Sequence, residues 1–431
     1  EGVWRTWNHN YNRVYYNPNI TYVPWKGLDK NGNIYGPITS SVAPYNPFDS
    51  SLGGLDVTST IGYITRWEDN AGVYKEDLTI KNFYPARYYL WRDANNDKVV
   101  DPLEPHLLIE IKSSGPTCPG PVILGFPCPT NYVRTSYDSN TNFGRKDCST
   151  DNGDGTVTCS YSEEIQNFKN WFSYHRKRDL IAKSALSEVI QNATNVRVGY
   201  ATLHNNSNVR TKLASMNKSS TVAGAKKDLL DKIFNTQPSG GTPLRQSLEK
   251  LGRYFECKGK PNADEQDIFG ATSDSVPGDP NCAVLAAPQG TCQQNYAVAM
   301  TDGYYNGSEP KDAGDADDDD DTDFDGGAFA GSDDKTLADV AMYFYERDLH
   351  GTLTDDVPTT QIDVNRYAGS GTLNLTDTMH QHMTTYSLGL GVKGTLTSMP
   401  SDPTLAFAWP NPDDGNEEKI DDLRHAAYNG R

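Results

Sequence analysis

The chain has 431 residues, and 57 Asp and Glu against 39 Lys and Arg leave a formal net charge of −18. No Lys/Arg-rich stretch stands out against that balance, which excludes a broad nucleic-acid-binding face, and no apolar run reaches the roughly 20 residues of a membrane helix. A hydrophobic content of 36% and a mean hydropathy of −0.67 are low for one compact core, while 25 Tyr speak against general disorder.

The expectation is a folded, loop-rich chain of two or three domains, or one large one with insertions, its acidic surface suited to calcium and an extracellular setting. It begins at Glu1 without Met and is expected to be a processed or truncated piece. Residues 1–160 read as β-rich and irregular, beginning with the aromatic, turn-punctuated run Tyr15 to Trp25. Val73 to Phe83, Tyr88 to Arg92 and His106 to Lys112 are the predicted strands. Between the last two, Asp93, Asn95, Asp97, Asp101 and Glu104 occupy positions 1, 3, 5, 9 and 12 of a twelve-residue loop, with the Val99 carbonyl at position 7. That is the EF-hand calcium spacing, although Lys98 stands where glycine is wanted and no helices flank it. The competing reading is a polar Asx turn between strands.

Cys118 and Cys128 share a Pro/Gly-rich loop, and Cys148 and Cys159 flank the turn Asp151-Asn152-Gly153-Asp154-Gly155; both pairs are expected to be local disulfides. Asp151, Asn152 and Asp154 read as a hairpin turn before they read as a metal site. Cys257, Cys282 and Cys292 are one too many, and a bridge from Cys257 to either of the others is expected.

From Ser162 to Asn192 the spacing of Ile165, Phe168, Phe172, Ile181, Ala185 and Val189 predicts one long amphipathic helix, with Arg176-Lys177-Arg178 on its solvated face. A strand (Val196 to Leu203), a helix (Val222 to Phe234), a Gly-Gly-Thr-Pro loop and a helix bearing Leu244, Leu248, Leu251 and Phe255 follow. Then come an apolar strand (Asn295 to Met300), an acidic loop (306–334), a helix (Leu337 to Leu349), a strand (Thr384 to Val392), a short apolar segment (Ala406 to Trp409) and a closing helix (Ile420 to Tyr428). This alternation over 161–431 implies an α/β domain with a doubly wound, mostly parallel sheet.

In such a sheet ligands bind at the carboxyl ends of strands. Thr242 and Asp302 fall at two such loops, where a hydroxyl and a carboxylate could hold a divalent cation; spacing alone favours a helix cap and a turn instead. The alternating acids Asp315, Asp317, Asp319, Asp321, Asp323 and Asp325 are a further calcium candidate, read first as a disordered acidic insertion. His380 and His382 read as a polar strand entry. No nucleophile elbow or phosphate-cradling loop is present, so an enzyme is not expected.

Gly240-Gly241-Thr242-Pro243-Leu244 followed by Ala299-Met300-Thr301-Asp302-Gly303-Tyr304 resembles the von Willebrand factor A fold. More specifically, residues 16–25, 167–174, 336–345, 380–386 and 420–431 resemble, in order, segments of the PilY/PilC family of type IV pilus tip adhesins. The resemblance implies a von Willebrand factor A-like domain carrying a large β-rich insertion, and a secreted, calcium-dependent protein. It implies a place at the pilus tip or cell surface of a Gram-negative bacterium, reached through the periplasm, and a role in adhesion and in pilus assembly and retraction. Implied partners are pilin or minor pilins and a host or abiotic surface ligand. In the family's metal-ion-dependent adhesion site, holding Ca2+ or Mg2+, the second loop's Thr maps to Thr242 and the third loop's Asp to Asp302. The first loop, Asp-x-Ser-x-Ser, is missing from this sequence, and Asp49-Ser50-Ser51 is not one. The strand it ends, and the C-terminal β-propeller of the family, are expected to lie outside this chain, so an upstream segment or a partner chain would supply that strand. The readings that compete are a structural filament subunit receiving a strand from a partner, and a calcium-stabilised secreted hydrolase.

Overall fold

The computed structural model describes residues 3–68, 73–91, 95, 97, 99, 106–113, 134–135, 145–151, 153, 157–204, 211–259, 268–269, 271, 273–319, 322, 324–359 and 378–431. The chain divides into two compact units, residues 1–196 with 215–235, and residues 197–214 with 236–431. Residue 160, where the sequence places a domain boundary, lies inside the first unit.

The first unit opens with a short helix, α1 (Val3–Thr6), followed by small antiparallel sheets. β1 (Val42–Pro44) pairs with β2 (Gly54–Asp56), β3 (Ile61–Glu68) with β4 (Tyr74–Phe83), and β5 (Arg87–Trp91) with β6 (His106–Glu110). β9 (Val157–Cys159) is the centre of a three-stranded sheet between β7 (Arg134–Thr135) and β8 (Thr150–Asp151). Three helices complete the unit: α2 (Tyr161–Tyr174), α3 (Arg178–Asn192) and α4 (Ala225–Asn235).

The single long helix expected from Ser162 to Asn192 is two helices. A capping box of Ser160 and Glu163 starts α2. At His175 the backbone turns to φ −140°, and its N–H closes on the Trp171 carbonyl at 2.8 Å. Lys177 is extended and starts α3. Arg176 sits in the break, donating to the carbonyls of Phe172 (2.6 Å) and Tyr45 (2.7 Å) while its guanidinium lies over both rings. The basic triplet therefore spans a helix break: Arg176 is packed, while Lys177 and Arg178 are exposed as a solvated face expects.

Helix α2 organises the irregular segment before it. Asn167 accepts from the Tyr22 N–H (2.7 Å) and donates to the Ile20 carbonyl (2.8 Å); Asn170 accepts from the Ile38 N–H (3.1 Å) and donates to the Tyr22 carbonyl (3.0 Å). Trp171 donates to the Val14 carbonyl and Tyr174 to that of Gly36. A segment without regular structure has no ladder for its peptide groups, and here helix side chains replace one. Arg145, 1% exposed at its side chain, joins Glu164 at 2.7 Å and grips both oxygens of Asp147 at 2.6 and 2.9 Å. Tyr16, Tyr88, Ile109, Ile111, Ile165, Phe168 and Trp171 form the apolar core around this network.

In the second unit β10 (Arg197–Tyr200) pairs with β11 (Thr211–Ser215), which runs to the unit boundary. Helix α5 (Leu244–Phe255), strand β12 (Asn295–Thr301) and helix α6 (Leu337–Glu346) follow. β13 (Val357–Pro358) and β14 (Thr378–Met379) form an antiparallel pair, and β15 (Met383–Gly389) and helix α7 (Glu418–Asn429) close the chain. β12 and β15 are parallel, in register from Asn295↔Met383 to Thr301↔Gly389. Asn295, Ala297, Ala299 and Thr301 of β12 are buried while Tyr296 and Val298 on the opposite face are exposed. Helices α5, α6 and α7 pack on the buried side through Leu248, Val340, Phe344 and Leu423. Gly252 is required there, because a Cβ would stand 2.3 Å from the Phe344 ring. Among the described residues no sheet exceeds three strands, and no helix is long and apolar enough to cross a membrane.

Candidate metal sites

The loops carrying Thr242 and Asp302 are held together. β12 ends at Thr301, so Asp302 begins the loop at its carboxyl end. Four residues on, Asn306 accepts at Oδ1 from the Thr242 N–H (2.9 Å), and its own N–H donates to the Thr242 carbonyl (2.8 Å). Glycines at positive φ, Gly240 (+86°) and Gly307 (+101°), shape the two approaches. The helix-cap reading of Thr242 fails: the N-cap of α5 is Pro243, with no side-chain cap bond, and the Thr242 hydroxyl makes no hydrogen bond to a described residue. That hydroxyl is half-buried and the Asp302 side chain exposed, so both oxygen donors can be reached from solvent.

The EF-like loop connects β5 to β6, an antiparallel pair, rather than two helices. Of its predicted ligands Asn95, Asp97 and Val99 are described and exposed, whereas Asp93, Asp101 and Glu104 lie outside the described residues. Asn95 Oδ1 accepts from the Asp97 N–H at 3.0 Å, and Asp97 Oδ1 from the Val99 N–H at 2.7 Å. These are successive Asx turns, the competing reading of this stretch, and they also set oxygens at alternate positions. At 150–159, β8 and β9 make the expected hairpin, with the Gly153 N–H on Asp151 Oδ1.

The acidic loop departs furthest from expectation. Among its described residues, Ala313, Ala316, Asp317, Asp325, Ala328 and Phe329 are buried, so this part is folded into the unit rather than being a solvated insertion. Asp319 is exposed; Asp321 and Asp323 lie outside the described residues. The carboxylates of Asp315, Asp317 and Asp339 converge, with oxygens within 4.8 Å of one another. Asp339 is the third residue of α6 and accepts from the Thr336 N–H and hydroxyl, both at 2.8 Å. Asp317, fully buried, accepts from the Gly331 N–H and the Asn429 amide, both at 2.8 Å. Burial, then the Asp339 charge, pushes Asp317 well above the carboxylate range; burial also raises Asp339. His425 Nε2 is 3.5 Å from Asp317 but donates to the Phe329 carbonyl at 2.6 Å, and burial pushes its pKa down to about 3, so it brings no compensating charge.

The neighbouring acids of α7 are structural. Asp422 accepts from the Leu337 and Ala338 N–H groups at the start of α6, where the helix dipole favours a carboxylate. Asp421 accepts from Thr395 and Leu396. The rings of His380 and His382 each bond a backbone carbonyl, as a polar strand entry would.

Cys148–Cys159 and Cys257–Cys282 are disulfides, and the exposed Cys292 is free among the described residues; Cys118 and Cys128 lie outside the described residues. Cys257 and Cys282 also converge with His350, but sulfurs joined to each other are not thiolate ligands. Asp339 and Asn429 escaped the sequence reading. Thr336-Leu337-Ala338-Asp339 carries a cap signature, which accounts for Asp339 without a second role, and Asn429 is 112 residues from Asp317.

No family model and no solved structure matches the chain. Over 304 residues, 64% of the chain, it is 25% identical to the type IV pilus biogenesis factor PilY1 of Pseudomonas aeruginosa strain PAK. Over 300 residues, 63% of the chain, it is 26% identical to the PilY1 of strain PAO1. The chain spans 24% of the length of these curated relatives. Matched at this distance over most of its length, the chain is similar to, and partially homologous with, the PilY1 type IV pilus biogenesis factors.

Proposed function

We propose that this chain acts in type IV pilus biogenesis and surface adhesion, at the pilus tip or cell surface, through a second unit that is a von Willebrand factor A-like, divalent-cation-dependent module. Partial homology to the PilY1 factors supports the pilus role. The fold reading is supported by the parallel β12–β15 pair, with α6 between the strands in sequence and helices on the buried side. One observation carries the site: the Thr242 loop and the loop that Asp302 begins are tied by reciprocal hydrogen bonds at the carboxyl end of β12.

Two oxygen donors are too few for Ca2+ or Mg2+, which take six or more. Water, an acidic group on the surface ligand and the Asp-x-Ser-x-Ser loop that this sequence lacks would complete the set. In this arrangement the cation joins the protein to its ligand, so adhesion is lost on chelation. Pilin or minor pilins are the partners on the other side. A second reading, a filament subunit that accepts a strand, is favoured by β12 itself: among the described residues it pairs with β15 alone, so its other edge is where a donated strand would add.

The test is Asp302→Ala in the full-length protein in its own cells, with surface pili and attached cells counted separately. The expected result is a roughly tenfold or greater loss of attachment, the scale of losing a metal ligand or its support, with pili still present. Normal attachment would remove the metal-dependent reading; loss of pili with it would favour the strand-accepting subunit.

A further inference from the structure

We propose a second cation site in the same unit: a buried calcium site formed by the carboxylates of Asp315, Asp317 and Asp339 with the side-chain carbonyl of Asn429. It rests on residues other than Thr242 and Asp302 and stands whether or not those two bind metal.

The first observation is the convergence. Asp315 and Asp317 come from the loop after β12 and Asp339 from the first turn of α6, and their oxygens lie within 4.8 Å of one another. Asp317 and Asp339 are both 0% exposed, and among the described residues neither has a cationic partner. Such carboxylates repel unless protonated or bridged by a cation. The second observation is Asn429. It too is 0% exposed, its amide lies against Asp317 with Nδ2 at 2.8 Å, and its Oδ1 is buried without a hydrogen-bond partner among the described residues. A buried carbonyl with no donor calls for one or for a cation. As the amide stands, Nδ2 faces Asp317 and the unpartnered Oδ1 faces away; a half-turn about its Cβ–Cγ bond exchanges the two and presents Oδ1 to a cation held by the carboxylates.

The supporting shell is already built. The Gly331 N–H fixes Asp317, and Thr336 fixes Asp339 through both its N–H and its hydroxyl, leaving Asp339 Oδ1 with only a long contact of 3.4 Å from the Asp317 N–H. Ligating carboxylates are oriented in this way by outer hydrogen bonds. An all-oxygen set of three carboxylates and an amide, drawn from one loop and two helices, suits calcium's irregular coordination better than the strict octahedron of magnesium. A bound ion would pin the loop to α6 and to the end of α7.

The test uses the full chain stripped with chelator and then titrated with terbium, with CaCl2 as competitor. Trp409 stacks on His425 with ring centroids 4.1 Å apart, and His425 touches Asp317, so Trp409 should sensitise an ion bound here. Trp409→Phe should remove a defined fraction of the terbium emission. Asp317→Asn and Asp315→Asn should remove the same fraction, or weaken calcium competition for it by roughly tenfold or more. Asp302→Ala should leave that fraction intact, which separates this site from the adhesion site. If Asp317→Asn fails to fold, Asp315→Asn, with its half-exposed side chain, decides. Unchanged emission in Trp409→Phe, or unchanged calcium competition in Asp315→Asn and in any folded Asp317→Asn, would overturn the proposal.

Discussion

In the first unit, α2 meets chain with no regular structure, and beside the aromatic packing of Tyr16 on Phe168 and Trp171 its Asn167, Asn170, Trp171 and Tyr174 side chains bond peptide groups of residues 14–38. In the second unit, helices meet strands, the peptide groups are already paired, and the contact is apolar, with Leu248, Val340, Phe344 and Leu423 at its centre. The charges differ in the same way. The buried acids of the first unit, Glu110 and Glu164, pair with Arg87, Lys112 and Arg145; in the second unit Asp421 pairs with Arg424, but among the described residues Asp317 and Asp339 have no cationic partner. A helix that replaces a missing sheet needs precise polar side chains and complete internal pairing. A helix that covers a sheet needs only an apolar stripe, which leaves buried carboxylates free for an external cation.

The contrast breaks most readily at Arg145. Arg145→Met leaves Glu164 buried and uncompensated and should cost about 3–5 kcal/mol in urea unfolding of the first unit. The Arg145→Met, Glu164→Leu double variant should recover much of that. Equal losses in both would mean that the arginine acts through its packing instead.

Asn170→Leu keeps the side chain's bulk but strands the Ile38 N–H and the Tyr22 carbonyl, at about 1–3 kcal/mol. A neutral result would show that water can satisfy these groups and that α2 is not the organiser.

The smallest effect is a pH dependence. Burial raises the Asp147 pKa, but Arg145 and Thr21 more than offset it, so the folded carboxyl titrates below its ordinary value. Its contribution is present above the unfolded carboxylate pKa and is lost as the pH falls through the folded one. Acid unfolding of Arg145→Met should show less of this loss than wild type, measured from the fluorescence midpoint against pH.

Periodicity found β4, β5, β6, β12, β15 and α7 close to their observed bounds, because alternation and the 3.6-residue stripe are local properties. It missed the break at His175–Lys177, since the apolar stripe continues on both sides and only the backbone turn at His175 separates them. The polar work of Asn167 and Asn170 was hidden for another reason. Their partners are backbone groups about 130 to 150 residues away, and backbone carries no sequence signal. At the candidate sites, Thr242 and Asp302 were legible as residues but their tethering through Asn306 was not. Asp315 and Asp317 were visible as an acid run, yet their partners Asp339 and Asn429 are set by tertiary folding alone.

The central claim, that divalent cation acts on the second unit while the first holds itself together, is tested most directly by hydrogen exchange on the full chain with and without Ca2+. The prediction is added protection in the described parts of 302–334 and at the start of α6, with α2 and its partners at 14–38 unchanged. Equal protection with and without cation across the second unit, or a gain confined to the first, would contradict it.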